Sequence, residues 1–210
     1  MQIRYDFMNE LKNLPPGTGE AAVRVLSVNV ARVESRRING RLVATAMGKK
    51  PVAGTVAVRP GGLAGDEQAD LTVHGGISKA VYAYPAGHYA FWQTVRAQAR
   101  VSLWDEPLPP GSLGENLTIE GLDERALWIG DRLVLPGCVL AVSEPRLPCH
   151  KFAAAMGFAQ AVKLMAQSGY CGAYFAVVEP GEVAAGDVGR IEPGPREVGI
   201  RELFRARVGL

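Results

Sequence analysis

From residue 23 onward, short apolar runs alternate with turn residues, and that pattern predicts strands more often than helices. Residues 23–30, 54–58, 80–84, 117–119, 132–135, 139–143 and 173–178 are β-branched or aromatic stretches bounded by Gly and Pro. Pro136-Gly137 falls between two of them and is a local hairpin signal. Two segments switch to helical spacing. In 88–100 the apolar positions are Tyr89, Trp92, Val95 and Ala99; in 151–167 they are Phe152, Met156, Ala159, Val162 and Met165, with Gly169 following as a stop signal. These aromatic and methionine stripes read as core faces. Long helices are too few to alternate with the strands, which argues against a doubly wound parallel sheet. The expected architecture is mainly β with peripheral helices, a partly closed β-barrel.

The organisation follows from the same pattern. Residues 1–20 read as an N-terminal extension, 21–196 as the barrel domain and 197–210 as a short helical tail, with Ile200, Leu203 and Phe204 interleaved with Arg201, Arg205 and Arg207. The spacing Gly17-x-Gly19-x-x-Ala22 matches a dinucleotide fingerprint formally, but it precedes the first strand instead of following one, so no nucleotide site is expected there.

Composition narrows the function classes. A chain of 210 residues, 48% hydrophobic, is long enough for one well-cored domain. With 23 basic against 21 acidic residues the net charge is +2, so a nucleic-acid polymer is not an expected partner. Three cysteines without a C-x-x-C pair, and no secretory leader pattern, point away from a disulfide framework and toward the cytoplasm. No apolar run approaches the ~20 residues of a membrane span.

The candidate chemistry starts at one thiol. Cys149 lies in Glu144-Pro145-Arg146-Leu147-Pro148-Cys149-His150-Lys151, directly after an apolar strand and among three potentially cationic side chains. Such surroundings favour the thiolate, which can act as nucleophile, persulfide carrier or soft-metal ligand. Cys138 and Cys171 lie in apolar runs with no adjacent cation and read as core residues. Upstream, the glycines of 61–65 and Gly75-Gly76 can free backbone N–H groups for an anion that Arg59 and Lys79 would neutralise, although tight turns explain them equally well. His74, between a valine and two glycines, is a candidate ligand contact or acid–base group. In the turn 111–117, Asn116 offers donor and acceptor for a heterocycle edge, and Glu115 is either a site residue or a cap on backbone amides.

Taken in order, "GLAGDEQADLTVHGGISKAVYAYP", "GSLGENLTIEGL", "IGDRLVL" and "EPRLPCHKF" resemble the MOSC domain family, named for the C-terminal domain of molybdenum cofactor sulfurase, and most of all its small stand-alone bacterial members. The resemblance runs from about residue 51 to 193. It implies a β-barrel of MOSC type and a molybdenum–pterin cofactor, with Cys149 as metal ligand or sulfur carrier. It further implies reduction of small N-hydroxylated compounds with electrons from a separate reductase. Arg59, Gly75, Gly76, Lys79, Glu115, Asn116, Arg146 and Lys151 are then the expected cofactor contacts, with Cys149 and His74 catalytic. No flavin, nicotinamide or pyridoxal phosphate is expected on this chain. A sulfur transferase working through a Cys149 persulfide, or a cofactor-delivery protein, fits the same residues, and a homodimer is compatible with all of these.

Overall fold

A computed structural model describes residues 21–71 and 75–210. The expected barrel is present, and it is closed. Seven strands run in the spatial order β13, β9, β10, β11, β7, β8, β1, and β1 returns to pair with β13. The strands are β1 (Ala21–Val30), β7 (Val81–Pro85), β8 (Leu117–Glu120), β9 (Arg132–Val134), β10 (Val139–Pro145), β11 (Ala173–Glu179) and β13 (Val188–Glu192). Closure depends on the length of β1. Its start pairs with β13 through Ala21–Arg24, its middle pairs with β8, and a bulge between Val25 and Ser27 bends it around the corner. Its far end holds β4 (Lys50–Pro51). All barrel pairings are antiparallel except β7 with β8.

β7 and β11 are buried along almost their whole length, because one face meets the barrel interior and the other is covered by helices. The cover consists of α1 (Tyr89–Gln98), α2 (His150–Met156), α3 (Ala161–Ser168) and α4 (Ile200–Val208). Trp92, Phe152, Met156, Met165, Ile200 and Phe204 from these helices are fully buried in the same core cluster as the strand valines and leucines. Burying side chains of this size stabilises by about 1.5–3 kcal/mol each, which suffices to fix the helices on the sheet.

Besides the closing strand at 188–192 and the short strands at 50–51, 62–63 and 181–184, none of which the apolar pattern predicts, two features depart from it. The single helix expected over 151–167 is two helices. Gly157 takes a left-handed φ of 84° and ends α2, α3 starts at Ala161, and Ala159, expected on the core face, is exposed. A left-handed glycine is a standard helix stop, and here it outweighs the apolar periodicity. The second departure is an unexpected hairpin, β2 (Glu34–Ile38) with β3 (Arg41–Thr45). Its turn is Asn39-Gly40, with φ of 50° and 79°, the signature of a tight primed turn. Its strands are mostly exposed and polar, so apolar alternation could not show them. A small sheet of β12 (Gly181–Ala184), β5 (Thr55–Arg59) and β6 (Gly62–Leu63) completes the fold. Among the described residues no helix is long and apolar enough to cross a membrane.

Candidate functional site

One cavity gathers much of the chemistry. It encloses about 80 Å³ and opens to solvent, and its wall includes Lys79, Asn116, Arg146, Cys149 and Lys151 from the sequence-derived set. The chain reaches Cys149 because Pro145 ends β10 and Pro148 keeps the next turn out of helical geometry. Cys149 itself is extended (φ −141°, ψ 173°) and immediately precedes α2. Its thiol is half-buried, whereas Cys138 and Cys171 are buried. Burial pushes the Cys138 thiol up to about 11 and Cys171 well above the usual thiol range, so both stay protonated core groups.

Arg146 is the most unusual member. It is 2% exposed, yet among the described residues no carboxylate pairs with it. Its guanidinium lies 4.6 Å from the Phe152 ring centroid and 5.4 Å from that of Tyr82. Its Nη1 and Nη2 approach the sulfurs of Met165 and Met47 at 3.7 and 3.5 Å. Ring faces and thioethers keep the cation in place without neutralising it. Tyr82 and Tyr174, which share the cavity wall, have phenols pushed up by burial, and Arg146 only partly offsets this. They present neutral hydroxyls.

Other expected residues lie elsewhere or do something different. Arg59 is exposed at the end of β5 and does not line this cavity. Gly75 and Gly76 are also outside the lining; the Gly76 N–H donates to Gln68 Oε1 at 2.7 Å, so these glycines shape a turn on Gln68. Glu115 is fully buried behind the wall, where it accepts the N–H groups of Gly111 (2.7 Å) and Leu113 (3.1 Å), the Thr118 hydroxyl (2.8 Å) and the Tyr89 hydroxyl. Burial raises its pKa even against these donors. Of its two expected roles, that is the amide-capping geometry. Asn116 lines the cavity, but both its N–H bonds are taken, by Asn29 O and by Asp66 Oδ2 (2.8 Å), and its Oδ1 accepts the Tyr82 N–H. It has no N–H left for a heterocycle and instead orients Asp66. His74 lies outside the described residues.

The wall residues not singled out from the sequence include Met47, Lys49 and Asp66. Lys49 and Asp66 form an ion pair with side chains 8% and 5% exposed. Asp66 stands inside the quoted motif "GLAGDEQAD", where its glycine neighbours drew the attention. Met47 and Lys49 precede the stretch that resembles the family. The signal that would have found them is steric. Gly111 has φ +87°, and a Cβ there would stand 2.5 Å from the Lys49 carbonyl oxygen; a Cβ on Gly114 (φ +83°) would stand 2.6 Å from the Met47 sulfur. The glycines of "GSLGENL" therefore seat the 47–49 segment against the cavity.

Among the described residues no three His, Cys, Asp or Glu side chains cluster to hold a metal ion. A metal at this cavity would rest on one protein thiol, with its remaining ligands brought by the group that carries it.

Comparison with known proteins agrees with the fold and with the location of the motifs. The sequence profile of the MOSC domain matches residues 70–189. The chain is 40% identical to the uncharacterized protein YflK of Bacillus subtilis over 162 residues, which is 77% of this chain and 70% of YflK. It is 30% identical over 188 residues to a protein of Gibberella moniliformis named reductase, covering 87% of this chain but only 32% of that protein. Among solved structures, YiiM from Geobacillus stearothermophilus superposes with a TM-score of 0.69 at 30% identity, over 88% of this chain and 83% of that one.

Proposed function

The chain belongs to the MOSC domain family, and on that premise we propose that it is a molybdenum-cofactor oxidoreductase reducing small N-hydroxylated compounds with electrons from a separate reductase. One juxtaposition supports this most: the half-buried Cys149 thiol shares a cavity with Arg146, a buried cation that no carboxylate of the described residues neutralises. A soft thiolate suits a molybdenum centre, and an unneutralised buried guanidinium calls for an anion, such as the phosphate of a pterin. The name of the Gibberella moniliformis relative is in keeping with redox chemistry.

Where the cofactor binds, it supplies the two-electron centre. The chain's own side chains do the rest. Cys149 ligates the metal. Arg146, Lys79 and Lys151 hold negative charge at the wall, and Asn116 and Asp66 keep the floor rigid. His74, close in sequence to the wall residue Asp70, is expected to contact the bound ligand.

The test is metal analysis of protein purified from a host that makes the cofactor. Turnover of an N-hydroxylated purine or an amidoxime is then followed, with dithionite-reduced methyl viologen as donor. Stoichiometric molybdenum with turnover is expected; molybdenum-free protein would end the proposal.

A further inference from the structure

Lys49 is carried into the cavity wall by the packing of its own backbone against Gly111, not by any motif around it. Its ammonium is nearly buried and held by Asp66. Asp66 is itself immobilised: Oδ1 accepts the Ala31 N–H at 2.8 Å, and Oδ2 accepts the Asn116 side-chain N–H at 2.8 Å. Among the described residues the other acids that face or share this wall are Glu115, Glu67 and Asp70, and the other cations are Lys79, Arg146 and Lys151. Glu67 is committed to the Val33 N–H at 2.7 Å and to Arg32. Among the described residues the wall thus contains a nearly buried ammonium, oriented by Asp66, that shares the cavity with the Cys149 thiol and the Arg146 guanidinium. A guanidinium does not release its proton at ordinary pH, but an ammonium can.

The chemistry proposed above needs such a group. Reduction of R–NHOH to R–NH2 consumes two electrons and two protons and releases water; the N–O bond breaks, and hydroxide is a poor leaving group unless protonated as it departs. Resting on that reading, we propose that Lys49 donates the proton to the departing oxygen, which leaves as water. The second proton reaches nitrogen from solvent, both electrons come from the separate reductase, and solvent reprotonates Lys49. Asp66 is the positioning residue that aims the ammonium. Burial also lowers the pKa of Lys49, the largest influence on it, against the raising effects of Asp66 and Glu115, so the proton is more readily given up than from an exposed lysine.

The experiment compares wild type, Lys49→Arg and Lys49→Met as molybdenum-loaded proteins driven by dithionite-reduced methyl viologen. Arginine keeps the charge and the pairing with Asp66 but holds its proton. Both variants should lose kcat on the order of 100-fold, with KM and molybdenum content within a few-fold of wild type. Recovery of kcat in Lys49→Arg would show that charge and packing were all that mattered and would overturn the proposal. Loaded wild type that turns nothing over would overturn the reductase reading itself, a different failure. Independently of activity, carbon and nitrogen NMR of labelled Lys49 in the purified protein should titrate below the ordinary 10.5. A value at or above 10.5 would also sink the donor role.

Discussion

Cys149 and Cys171 both feel the charge of Arg146, yet their surroundings make them opposite kinds of thiol. Cys171 is fully buried in the core beside β11, its carbonyl accepts the Tyr82 hydroxyl at 2.8 Å, and burial together with nearby Glu124 raises its pKa despite the cation. Cys149 lies half-buried on a cavity that admits water. A neighbouring cation favours a thiolate, but the cost of removing charge from water is larger when burial is complete. Cation proximity alone is therefore a poor guide to a reactive thiol, and access to solvent or ligand decides the matter.

The contrast can be broken in four ways. The largest expected effect is on metal: Cys149→Ser should lower molybdenum content at least about tenfold, while Cys171→Ser and Cys138→Ser retain it. Equal loss in all three would erase the distinction.

Behind the cavity, Glu115→Ala should cost roughly 3 kcal/mol or more in denaturant unfolding, because the amides of Gly111 and Leu113 and two hydroxyls lose their acceptor. The glycine turn that seats Lys49 should loosen with it. A stability close to wild type would mean that this carboxylate belongs to the ligand site and not to the frame.

Thiol labelling compares the cysteines directly. With iodoacetamide near pH 8, one adduct should form on Cys149 at a rate on the order of 100-fold above the other two, read by peptide mass spectrometry.

The smallest effect is on pH stability. Cys138 ionises at its ordinary 9.0 when unfolded and at about 11 when folded, so the unfolded state gains charge first. Its contribution to stability is complete below pH 9 and is lost as pH rises toward 11, by about 2 kcal/mol. Cys138→Ala should flatten that slope, and an unchanged slope would assign it to other groups.

Much of this architecture could be read along the chain, and the exceptions have physical causes. Each of the seven apolar stretches corresponds to a strand, since burial of one face or of both leaves a run of β-branched and aromatic residues. The β2–β3 hairpin left no such mark because its strands bury almost nothing, and only Asn39-Gly40 announces it. The break at Gly157 was masked by apolar spacing that continues across it. In the site, Cys149, Arg146, Lys79 and Lys151 stood out by charge and order. Asn116 was visible too, but as a ligand contact; its hydrogen bonds turn inward to Asp66, which a one-dimensional pattern cannot reveal.

By itself the amino-acid order determined which segments are strands, which thiol has cationic neighbours, and the family to which the motifs belong. All of these depend on residues close together in the chain. Only the folded barrel decided that Arg146 is buried without a carboxylate partner among the described residues, that Glu115 faces amides, and that Lys49 meets Asp66 across 17 residues of sequence. Those outcomes depend on which distant side chains share a dielectric and a hydrogen bond, and closure of β1 onto β13 and β8 brings them together.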